Sequence, residues 1–88
     1  MNASEVKTGI HAKVVEIAKS IGKDARKLRN DEVIPSTGLL DSAGLMELMM
    51  WFEGAYGLNI DQDDMTIANF GTIDSMAAYL ARQREVDI

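Results

Sequence analysis

Gly38-Leu39-Leu40-Asp41-Ser42-Ala43-Gly44-Leu45-Met46-Glu47-Leu48 is the stretch from which the rest of the chain can be read. Two leucines lead into an Asp-Ser pair, and beyond it Leu45, Leu48, Met49, Phe52 and Tyr56 recur at steps of three and four. That spacing lays one apolar stripe along a helix starting at Asp41-Ser42 and ending near Gly57. Asp and Ser are favoured at helix starts because a side-chain oxygen there accepts from an amide that has no intrahelical partner. A serine at that point, reached through a loop anchored by two leucines, is exposed and fixed in direction. The free amides of the first turn and the positive end of the helix dipole would lie beside any phosphodiester attached to it. Met46, Met50 and Trp51 add apolar surface beyond what one packing face requires.

Upstream, Val6, Ile10, Val14, Ile17, Ala18 and Ile21 form a second stripe, which predicts a helix over about Ser4 to Ile21. Ser4 is its expected N-cap and Gly22 its stop. Residues 22–41 read as a long connection, broken most clearly at Pro35-Ser36-Thr37-Gly38, with Leu28, Val33, Ile34, Leu39 and Leu40 as anchors. Downstream come a loop with Asp61, Asp63 and Asp64, a short helical turn around Met65–Phe70, and a last helix from Thr72 to about Arg84. Thr72 is its expected cap, Asp74 complements its dipole, and Ile73, Met76, Ala77 and Leu80 are its buried side. Nothing alternates as a strand. The expected fold is all-α: one domain over 1–88, an antiparallel bundle of three main helices and one short one.

Composition narrows the function. With 88 residues and 47% hydrophobic content, the chain can bury a core. It has no cysteine, so disulfides, thiolate metal sites and a cysteine nucleophile are excluded. Any sulfur chemistry needs a prosthetic group. No apolar run is long enough to span a bilayer and no signal-peptide core opens the chain, so a cytoplasmic monomer is expected. The net charge of −5 is unevenly spread: residues 1–30 carry seven Lys/Arg against three Asp/Glu, net +4, and residues 31–88 carry two against eleven, net −9. The basic third lacks interleaved aromatics, so nucleic acid is not an expected partner. The acidic remainder points to basic protein partners.

The stretch resembles the phosphopantetheine attachment site of the acyl carrier protein family, which includes peptidyl and D-alanyl carriers. In that family an Asp-Ser pair opens the second helix and the serine oxygen bears 4′-phosphopantetheine. The resemblance continues through Glu47-Leu48, Phe52-Glu53, Tyr56-Gly57 and Ile60, then Phe70, Thr72-Ile73 and Tyr79, and covers residues 36–80 without a gap. It implies Ser42 as attachment point, Asp41 as its motif partner, and Ala43, Met46, Glu47, Met50 and Glu53 as a partner-binding surface. The implied partners are a phosphopantetheinyl transferase, a ligase or acyltransferase that activates an acyl or amino acid, and a downstream acceptor enzyme. Ala43 stands where the family usually has leucine or methionine, and the second helix is poor in acid. Together these lean towards an aminoacyl or D-alanyl carrier over a fatty-acid one.

Plainer readings compete at each position. Asp41-Ser42 alone is an ordinary helix cap; the leucines and the downstream match turn it into a modification site. Met46 is equally well core filler, and Trp51 is a packing residue. Asp61, Asp63 and Asp64 do not continue as a calcium loop, because Met65, Thr66 and Thr72 occupy positions that need Asn or acid, Gly and Glu. His11 is expected on the charged side of the first helix, and no Gly-x-Ser-x-Gly elbow surrounds Ser42, so self-contained catalysis is not expected. The expectation is a free-standing, non-enzymatic carrier. The alternative is an interaction module with the same fold that does not use the prosthetic group; a metal-sensing helical protein ranks third.

Overall fold

The apolar stripe of the N-terminal third folds as α1 (Ala3–Ser20), with Val6, Ile10, Val14, Ile17 and Ala18 buried. Its cap is Asn2, whose side-chain oxygen accepts from Glu5 N–H at 2.8 Å. The expected cap, Ser4, sits inside the first turn, because Asn2, two residues earlier, already supplies the acceptor. Gly22, at φ +77°, stops the helix: its amide bonds Lys19 C=O and that of Lys23 bonds Ala18 C=O. Ile21, expected on the buried stripe, is 40% exposed, since the chain leaves the helix at that residue.

The computed structural model describes residues 2–86; residues 1, 87 and 88 of the expected domain lie outside the described residues. After α1 come α2 (Ile34–Thr37), α3 (Ser42–Tyr56), a 3-10 turn (Gln62–Asp64), α4 (Ile67–Phe70) and α5 (Ile73–Val86), with no strand among the described residues. The all-α bundle with three long helices is as expected, and α5 runs two residues past the expected Arg84. The difference lies at Pro35–Gly38, read as a break but built as one helical turn. Pro35 pre-sets the helical φ in its first turn, Thr37 Oγ1 donates to Ile34 C=O at 2.7 Å, and Gly38 at φ +73° ends it.

The long connection is tied down at both backbone and side chain. Ile34 N–H donates to Gly71 C=O at 2.7 Å and Asp74 N–H to Asn30 C=O at 3.0 Å, fastening residues 30–34 to the start of α5. Ala25, Leu28, Ile34 and Leu40 are buried beneath it, whereas Val33, expected as an anchor, is 37% exposed. Arg26 forks onto Asp24, and the guanidinium holds that carboxyl down at about 2. Both side chains are exposed, so the pair shapes the loop more than it stabilises the fold.

One core joins the elements, centred on Phe52, Ile10, Ile34, Leu48, Ile73, Met76 and Val14. Gly9 meets Tyr56 and Ile17 meets Gly44, so α1 and α3 run antiparallel. Lys7, early in α1, and Asp74, in the first turn of α5, pair at 2.9 Å. Thr72 caps α5 as expected, accepting from Ser75 N–H at 2.9 Å while its own N–H donates to Ser75 Oγ. Gly71, joining α4 to α5, is buried in ordinary right-handed backbone at φ −76°, but a Cβ there would overlap Ile67 C=O. Gly71→Ala is therefore expected to cost about 1–3 kcal/mol of stability, measured by urea unfolding, through crowding alone.

Candidate functional site

The N-terminus of α3 is built by three residues acting together. Asp41 takes an extended conformation (φ −87°, ψ −177°) and its Oδ1 accepts from Gly44 N–H at 2.7 Å. Its backbone carbonyl accepts from Leu45 N–H at 2.9 Å, closing the first helical turn. Gly44 is buried: a Cβ would lie 3.1 Å from Ile17 Cγ2 and 3.2 Å from Asp41 Oδ1. The missing side chain lets the first turn of α3 press directly onto α1. Leu40, 4% exposed, plugs the core just before the turn, and half-buried Leu39 is held by its amide on Thr37 Oγ1 at 3.2 Å.

Ser42 is left outside that anchored turn. It is exposed, and its hydroxyl bonds no described residue. The amides of Ser42 and Ala43 occupy first-turn positions that have no intrahelical acceptor, while Gly44's is taken by Asp41. An anion on the Ser42 oxygen would therefore face free amide donors and the positive end of α3. The anchored backbone fixes where the Ser42 side chain leaves the helix, while its hydroxyl stays in solvent.

The other residues implied as a partner surface separate into two groups. Ala43, Met46, Glu47 and Met50 are all exposed, with Met46 at 58% and Met50 at 65%. Those values exclude the core-filler reading of Met46. Met46 and Met50 follow Ser42 at helical steps of four, on the same side. Glu53 is half-buried, and its Oε2 accepts from Ile60 N–H at 2.9 Å, bracing the chain that leaves α3. Trp51 is half-buried, edge-on to Tyr56 at 5.9 Å. His11, expected on the surface, is half-buried, and no group of three His, Cys, Asp or Glu able to hold a metal gathers among the described residues.

Sequence reasoning missed an apolar cleft between α3 and α4. Leu45, Leu48 and Met49 form one wall; Met65, Thr66, Ile67 and Phe70 form the other, with Pro35 and Gly71 at its end, around about 180 Å³. Met65 and Ile67 remain 43% and 64% exposed at its rim. Two apolar residues beside an acidic loop were the available signal, but only the packing brings them opposite Leu45. Gly44 was missed too, because a buried glycine in a helix is visible only through what touches it. Asp41→Ala is expected to lower stability by about 1 kcal/mol in chemical denaturation, with Asp41→Asn near wild type. Ser42→Ala is expected to change it by less than about 0.5 kcal/mol, as an exposed group without a partner.

A comparison with protein families matches residues 12–80 to the phosphopantetheine attachment site family. No curated protein and no solved structure matched the chain. The site's own chemistry agrees with the family's group: a partnerless, exposed hydroxyl stands beside unpaired first-turn amides, with no side chain that would have to move aside. The fifteen-residue α3, its anchored first turn and a matched span of most of the chain converge on one assignment. The chain belongs to the phosphopantetheine-binding carrier proteins, the family of the acyl carrier proteins, whose members bear covalently attached 4′-phosphopantetheine.

Proposed function

We propose that this domain is a monomeric cytoplasmic carrier that bears its prosthetic group on Ser42 and delivers an acyl group to partner enzymes. The observation that carries the reading is the free Ser42 hydroxyl on a turn locked by Asp41, Gly44 and Leu40. A phosphopantetheinyl transferase would modify it, a ligase or acyltransferase would load it, and an acceptor enzyme would unload it. The bound group supplies a thiol on a flexible arm, on which cargo is held as a thioester. The chain's residues orient the attachment oxygen, offer amides to its phosphate, and present a surface to partners. No described side chain is hydrogen-bonded to Ser42 as a base would be, which supports placing the chemistry in the partners.

The partner surface in this reading is Ala43, Met46, Glu47 and Met50. Methionine suits a face that meets several enzymes, because its unbranched, polarizable side chain adapts to different contours. Glu47 contributes steering more than affinity. The α3–α4 cleft favours an apolar acyl cargo over an aminoacyl one. Thr66 is its single polar side chain, and its hydroxyl already accepts from Asn69 N–H at 3.2 Å, so an ammonium group there would lose water for little return.

Electrospray mass of protein coexpressed with a broad-specificity transferase is expected to show one added phosphopantetheine, absent in Ser42→Ala. Unchanged mass in the wild-type chain would overturn the reading. If the surface serves partners, Met46→Glu and Met50→Glu are each expected to lower kcat/KM for modification by about ten-fold. Their melting curves should stay at wild type, since both side chains are exposed.

A further inference from the structure

The outer wall of the α3–α4 cleft is a helix of four residues, α4, preceded by a loop and one 3-10 turn. So short a helix is not stable on its own. Across the cleft, the lining residues of α3 face those of α4 without a hydrogen bond among the described residues, so dispersion and apolar burial alone hold the two walls together. Towards α5 the situation is reversed. Tyr79 Oη donates to Asp64 Oδ2 at 3.0 Å, Asn69 Nδ2 donates to Asp64 C=O at 2.8 Å, and Arg82 donates to Asn69 Oδ1 at 3.1 Å. The Arg82 guanidinium also stands 5.7 Å over the Tyr79 ring, closing the circuit.

Tyr79 holds the central position. It is 4% exposed, and its ring lies 4.7 Å from that of Phe70, which lines the cleft. Its hydroxyl reaches the carboxylate immediately before Met65, at the opposite rim of the same wall. One buried side chain therefore holds both ends of the outer wall. Burial, reinforced by Asp64, pushes the phenol above its usual range, so it stays a donor at neutral pH.

We propose that Tyr79 and Asp64 form a latch that fastens the outer wall of the cleft to α5 and thereby sets how far the cleft opens from α3. Asn69 and Arg82 brace it. With the latch made, residues 64–70 move as part of α5; with it broken, Met65, Thr66 and Ile67 swing free of Leu45 and Met49. The proposal extends the reading of the cleft as a cargo shelter: Tyr79 would be a positioning residue, governing the time a thioester spends out of water without touching the reacting atoms.

The test uses the full chain in four forms: wild type, Tyr79→Phe, Asp64→Ala and Asp64→Asn. Tyr79→Phe keeps the buried ring and removes only the donor; Asp64→Asn keeps an acceptor and removes only the charge. Amide hydrogen exchange at residues 69–71, whose amides are bonded within α4, is expected to quicken about five-fold in Tyr79→Phe and Asp64→Ala, the net effect of one hydrogen bond. Exchange in α1 and α3 should be unchanged, and Asp64→Asn should restore wild-type rates. Unchanged exchange at 69–71, or equal acceleration in all helices, would overturn the latch. A second arm follows hydroxylamine cleavage of the octanoyl-loaded protein, expected to be faster in the two latch-breaking variants. Should the wild-type octanoyl thioester be cleaved as fast as octanoyl-pantetheine free in solution, the shelter reading fails, and the exchange data still decide the latch.

Discussion

In the proposed reading, the first turn of α3 has to satisfy two demands at once: it must be anchored, and it must leave one hydroxyl in water. Contact between Gly44 and Ile17 meets the first demand from below, by bringing the helix backbone onto α1 where any side chain would crowd. Asp41 meets it from the end, by taking the Gly44 amide at 2.7 Å. With those two contacts made, Ser42 is left as the outermost residue of a rigid corner. The remaining helices serve that corner, α1 as its floor and Leu40 as its plug.

Rigidity at the corner contrasts with the construction of the far wall. α3 is apolar on most of its circumference, and the bundle uses that surface in three ways. Leu48 and Phe52 are buried in the core, Leu45 and Met49 line the cleft, and Met46 and Met50 stand in water. The cleft lies where residues 64–70 are tied to α5 by directional polar bonds and, among the described residues, to α3 by none of its lining residues. A seam held only by apolar contact is the place where a small bundle opens most readily, since such contacts have no preferred geometry to lose.

Much of the acidic charge is used inside the fold. The net −9 of residues 31–88 is drawn off into structure at several points: Asp41 caps α3, Glu53 holds Ile60, Asp64 holds Tyr79 and Asp74 pairs with Lys7. On the exposed face after Ser42, only Glu47 is left as an uncommitted acid beside two methionines. In the proposed reading, a partner reaching Ser42 would meet a mainly apolar face, with Glu47 as its one acid.

The helical periods of Val6–Ala18, Leu45–Tyr56 and Ile73–Leu80 were readable from residue order, because a stripe at steps of three and four has one low-energy way to be buried. The stop at Gly22, the cap at Thr72 and the Asp41-Ser42 start were equally local, each being a bond between residues no more than five apart. Four features were not local. The helical turn at Ile34–Thr37 looks like a break until Gly71 and the core receive it. Glu53 reads as a solvated helix residue until the chain returns and Ile60 needs an acceptor. Gly44 has no side chain to announce that Ile17 lies against it. Tyr79 and Asp64, fifteen residues apart, become partners only once α5 folds back beneath α4. Sequence by itself determined where helices begin, which way their apolar faces point and which hydroxyl heads α3; tertiary structure decided which charges are used up, where the cleft lies and what holds its wall, because those depend on distances between segments that no local pattern records.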